Sequence, residues 1–167
     1  MMLAHLRTMA RYNRWANERL YAACREAGDG EVIRPRRAFF GSIHATLNHL
    51  IVGDTLWLDR LEGRPLCGWA LDHRPCADMD ALEEARRALD LRIVRVLDGM
   101  ADADIEGDLV YRTAIDPGRE MRTPRHLCWL HMFNHQTHHR GQIHDMLSQT
   151  DVPPPPLDLI YYVRENA

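Results

Sequence analysis

Six of the ten histidines (His126, His131, His135, His138, His139 and His144) lie between positions 126 and 144, where even spreading would give about one. Imidazole suits both proton transfer near neutral pH and transition-metal binding. His131, His135 and His139 recur every fourth residue, so on a helix they form one ridge that drifts only ~40° per step. A pair of histidines four apart on a helix can chelate one ion. All three cannot easily serve the same ion, because His131 and His139 would stand ~12 Å apart along the axis. The chelating pair is therefore His131/His135 or His135/His139. The spacing alone is a weak signal, since a partly buried neutral imidazole bonded to a carbonyl is common.

A third ligand has to come from another helix. His44 and His49 are five residues apart, ~140° around a helix, so at most one of them points squarely into a core. His49 sits among Leu47, Leu50 and Ile51, whereas His44 falls in the first turn of the same segment. A core histidine left without a partner is costly, and facing histidines on two helices are most simply explained by a shared metal. Three neutral imidazoles leave the ion its full 2+ charge and an open position, as in catalytic sites. Such an ion activates water or deprotonates a thiol. Nitrogen ligands suit zinc or nickel first, then iron, manganese or copper, and disfavour magnesium and calcium.

The supporting residues each have a plainer reading. Gln142, three positions beyond His139, could orient a bound water or simply bond across the helices. Asp54, five after His49, could receive an imidazole N–H or serve as a solvated or helix-packing carboxylate. His138, ~100° from His139, is expected to face a neighbouring helix or loop. Arg140 is expected to face solvent or an acidic group. Gly141 inside a helix costs ~1 kcal/mol against alanine, which implies that another backbone packs closely there. Cys128, one turn before His131, reads as a buried thiol, and Trp15 and Trp57 as core or pocket wall.

The elements that must position these residues are helical. Leu3 to Ala27 repeats apolar or small residues at helical spacing and stops at Gly28-Asp29-Gly30. Ser42 to Glu62 does the same, with Gly63 as its stop. Asp80 with Glu83 predicts a capping box opening a helix to Gly99. Thr123-Pro124 predicts an N-cap and first-turn proline for a helix to about Gln149. Gly63 to Ala77 reads as a loop, and Leu109–Thr113 with Arg119–Arg122 as a short hairpin around Asp116-Pro117-Gly118. Pro153 to Pro156 is a stiff spacer before a short helix from Leu157 to Glu165. The expectation is one all-α domain over residues 1–167, an up-down four-helix bundle with a hairpin or loop before its last long helix and a short C-terminal helix.

Composition narrows the function. The chain has 167 residues, 46% of them hydrophobic and 27% charged, as in ordinary globular proteins. It contains 21 arginines and no lysine, which excludes a Schiff-base lysine or a Walker-type phosphate loop. A net charge of −3 without a basic tract argues against nucleic acid. No membrane span or signal peptide is evident, so a cytoplasmic location is expected. Cys24, Cys67, Cys76 and Cys128 show no disulfide or zinc-knuckle spacing.

Tyr12-Asn13-Arg14-Trp15-Ala16-Asn17 on the first helix resembles a signature of the DinB family of metal-dependent proteins. Asn48-His49-Leu50 with Gly53-Asp54 and Trp57 on the second helix is similar to that family as well. So are Asn134-His135-Gln136-Thr137-His138-His139-Arg140-Gly141-Gln142 on the fourth and Leu157-Asp158-Leu159-Ile160-Tyr161-Tyr162 at the end. The resemblance covers nearly the whole chain, apart from the loop at 63–77. It implies an up-down four-helix bundle that binds one divalent ion through His49, His135 and His139, and it implies homodimers. Some relatives are transferases or isomerases that use a low-molecular-weight thiol as cosubstrate. The expected function is a metal-dependent hydrolase or thiol-dependent transferase acting on a small molecule. The alternative is a stress-response protein without turnover, its ion holding the second and fourth helices together.

Overall fold

Apolar residues at helical spacing dominate the chain, and the computed structural model is accordingly mostly helical. It describes residues 1–113 and 116–166. Four long helices carry most of the core: α1 (Met2–Ala27), α3 (Ile43–Glu62), α4 (Met79–Gly99) and α5 (Arg125–Leu147). Two short ones, α2 (Asp29–Ile33) and α6 (Leu159–Glu165), and a 3-10 turn (Asp102–Ile105) join them. Strands β1 (Asp108–Arg112) and β2 (Glu120–Pro124) pair antiparallel, with Val110 opposite Arg122. The connection expected around Asp116-Pro117-Gly118 falls partly on residues 114 and 115, outside the described residues.

Helix α1 packs against α4 and α5, and α3 against the same two. Leu6, Leu20, Leu47, Leu50, Leu58, Leu82, Ile93, Leu97, Trp129, Phe133 and Ile143 meet between them, almost wholly buried. Each such side chain contributes about 1.5–3 kcal/mol from water exclusion. Helix α3 is buried on most of its circumference, so its polar residues Asn48 and Asp54 are buried too.

Caps explain several boundaries. Ser42 Oγ accepts the amide of Ala45 at the start of α3, and Gly63 ends that helix with φ 68°, the left-handed conformation that glycine adopts cheaply. The expected capping box of Asp80 and Glu83 does not form. Asp78 caps α4 by accepting the amide of Ala81, and Asp80 and Glu83 both turn to Arg25 on α1. Thr123 and Pro124 belong to β2, so α5 begins at Arg125. Proline without an N–H fits the end of an edge strand as readily as a first helical turn. Helix α2 was not foreseen; Gly28, with φ 83°, ends α1 and at once opens this single turn.

Candidate metal centre

His49 is carried by the middle of α3, and His135 and His139 by successive turns of α5, the helix packed against it. Their Nε2 atoms converge: His49 to His135 at 3.1 Å and His135 to His139 at 3.0 Å. The outer nitrogens show which tautomers are present. His49 Nδ1 lies 3.1 Å from the carbonyl oxygen of Leu71, and His139 Nδ1 lies 2.8 Å from Oε1 of Gln142. Both partners only accept, so each Nδ1 carries the proton and each Nε2 presents a lone pair. At most one proton, on His135 Nε2, can sit among the three without charging a ring. At least one lone pair therefore faces another. Burial pushes the His135 imidazole down to about 3, with the neighbouring histidines adding to the effect. It pushes His139 down to about 4 against the opposing bond from Gln142, and it lowers His49 as well. Neutral rings with convergent lone pairs fit a single divalent cation.

The surroundings hold these rings in place. A Cβ at Gly53 would stand 3.0 Å from Cε1 of His135, so the absence of a side chain lets that ring lie against α3. Phe40 stacks on His49 with centroids 4.1 Å apart and meets His139 edge-on at 5.5 Å. The loop from 63 to 78 reaches the site because Asn48 pins it. Its amide donates to the carbonyl of Cys76 and its oxygen accepts the Cys76 N–H, which leaves Leu71 beside His49.

The other residues singled out by sequence take different places. Gln142 bonds the His139 ring and also reaches His138 Nε2 at 3.1 Å. Asp54 makes no bond to His49. It turns instead to the neighbouring ridge, where Arg86 Nη1 donates to it at 2.5 Å and Gln136 donates as well. Arg140 does not face solvent: it is 2% exposed and donates to Asn13, Asn17 and Gln136. No backbone approaches Gly141; a Cβ there would meet open space. His131 is exposed at the rim, tilted on Trp57 at 4.8 Å and 5.9 Å from the ring of His135. Cys128 is a buried free thiol. Gly53, Phe40 and Leu71 were missed. Only Gly53 left a signal, the mid-helix glycine cost that was read instead at Gly141.

The family follows once this geometry is set beside the sequence. The profile of the DinB family matches residues 2–166. The chain belongs to the DinB family. Comparison with curated proteins returns no match. The cluster of His49, His135 and His139 in this DinB chain is compatible with metal binding, their ligand atoms all lying within 4.8 Å of one another. No helix among the described residues is long and apolar enough to cross a membrane.

Proposed function

We propose that His49, His135 and His139 hold one divalent transition-metal ion, zinc or nickel before iron, manganese or copper. The protein is then a metal-dependent hydrolase or a thiol-dependent transferase acting on a small molecule. The observation that carries this reading is the convergence of three Nε2 atoms, two of them with their Nδ1 protons already committed to Leu71 and Gln142. A bound ion would supply Lewis acidity at an open position, enough to activate water or a thiol.

The chain's own residues do the rest. Leu71 and Gln142 keep two rings in the ligating tautomer. Phe40 shields one side of the cluster, and a cleft of about 300 Å³ reaches His49 and His135 from the other. That asymmetry supports a site reached from one direction. The four long helices are read as an up-down bundle forming one domain that frames it.

A second copy of the chain is the proposed partner, supported by apolar side chains left in solvent, among them Phe39 at 85% exposure beside Phe40, and Ile33 at 62%. Net charge supports a small molecule over nucleic acid as the ligand. Four free cysteines fit the reducing cytoplasm.

Elemental analysis of untagged protein tests the reading. One transition-metal ion per chain is expected, and the cobalt-substituted spectrum should change when imidazole or a small thiol is added. Protein that takes up no ion, or a cobalt spectrum indifferent to both additives, would leave a helical scaffold without catalytic chemistry.

A further inference from the structure

The cleft beside the histidines contains a cation with no counter-ion. Arg60 is on α3, three turns beyond His49, and its guanidinium lies 5.2 Å over the ring of Trp57 and 5.6 Å over that of Tyr111. One Nη2 bond reaches the carbonyl of Arg112 at 3.3 Å, while Nε is buried and has no partner. The carboxylates nearest in sequence are taken, since Asp59 and Glu62 both accept from Arg92 on α4. Burial disfavours its charge, and no carboxylate among the described residues pairs with it, Asp59 and Glu62 being held by Arg92. A partly desolvated guanidinium without a carboxylate partner is costly, and with Nε closed to solvent it is the outer Nη edge that an incoming acid would meet. The same cleft ends at His49 and His135 and has Leu56, Leu71 and Trp57 as apolar walls.

We propose that this cleft receives a small organic acid whose carboxylate docks on Arg60, whose apolar body lies along Trp57, and whose far end meets His49 and His135 of the histidine cluster. The proposal rests on reading those histidines as a metal centre. A guanidinium fork matches a carboxylate through two parallel N–H···O bonds. Arg60 is the one arginine among the described residues that line this cleft, and a single guanidinium suits a monoanion better than a phosphate. The aromatic walls favour a flat or unsaturated body. The arrangement assigns specificity to Arg60 and leaves the chemistry to the far end of the cleft.

The test uses benzoate as probe, benzamide as its neutral isostere and phenyl phosphate as the dianionic rival, each titrated calorimetrically into metal-free and cobalt-loaded protein. Benzoate should bind about tenfold or more tighter than benzamide. Arg60→Gln should erase that preference while leaving benzamide affinity and cobalt stoichiometry unchanged. Arg60→Lys, which keeps the charge and the stem but not the fork, should recover only part of it and covers the case in which the glutamine variant fails to fold. Benzoate affinity equal in wild type and both variants, or phenyl phosphate outcompeting benzoate, would overturn the proposal. Wild-type protein that takes up no cobalt would remove the metal centre, yet Arg60-dependent benzoate binding to the metal-free protein would still establish the anion anchor.

Discussion

Two polar clusters lie side by side in this protein where α3 meets α5, the second reaching on to α1 and α4, and they obey opposite rules. On α5, His135 and His139 form one ridge, and Gln136 and Arg140 form the next, one residue on. On α3, His49 and Gly53 face the first ridge, whereas Asp54 faces the second. The second cluster pairs unlike with unlike. Arg86 sits 2.5 Å from Asp54 and 3.0 Å from Asp90, and Asn13, Asn17 and Gln136 relay donors to acceptors among them and Arg140. Two arginines and two aspartates give it no net charge. Asp54 Oδ1 and the Nε and Nη2 of Arg86 are left without a hydrogen bond, although Nη2 stays in ion-pair contact with Asp90. The first cluster places lone pair against lone pair. Buried polarity by itself therefore marks nothing: a self-complementary network holds helices together, and one whose inward nitrogens outnumber the protons they can hold while neutral is suited to a cation.

The sharpest way to break the comparison is His135→Ala, which should abolish stoichiometric metal uptake as measured by elemental analysis after dialysis. Unchanged occupancy would erase the distinction between the two clusters. In the charged cluster, Asp54→Ala leaves the Arg86 guanidinium buried beside a hole and should cost about 3–5 kcal/mol in chemical denaturation. The folded fraction of that variant should still bind one ion per chain. A loss below about 1 kcal/mol would show that the network is dispensable to the fold.

Smaller effects test how the histidines are held. Gln142→Leu removes the acceptor that fixes the His139 tautomer and should weaken metal affinity by about 10- to 100-fold. Gly53→Ala asks the His135 ring to shift by a few tenths of an ångström, and a loss of roughly tenfold or less is expected, with little change in the melt of the metal-free protein. Competition against a chromophoric chelator reads both.

Acid acts on the same rings without any substitution. In metal-free protein His135 and His139 hold protons less readily than in the unfolded chain, so the unfolded state binds more protons below the ordinary histidine range. Their contribution to stability is present above about pH 6.5 and falls away as pH drops toward about 4 and then 3. The urea midpoint of the metal-free protein should decline over that window, and the decline should flatten in His135→Ala.

What the sequence determined by itself was whatever depends on local period and on residue type. The four long helical segments and the stops at Gly28 and Gly63 could all be read, because each depends on neighbours within a few residues. The richness of α5 in metal-binding side chains could be read as well. Spacing left two histidine pairs open, and family resemblance, not geometry, pointed to His49, His135 and His139. Tertiary structure alone decided which ridge of α5 faces which ridge of α3. It sent Asp54 and Arg140 inward to a shared network instead of to the histidines or to solvent. It brought the 63–78 loop back through Asn48, so that a backbone carbonyl at Leu71 fixes His49. It also made Gly53, not Gly141, the glycine whose missing side chain matters. The reason is physical: periodicity gives a residue's angle around its own helix, but the partner at that angle is set by how whole helices dock and by where distant loops return.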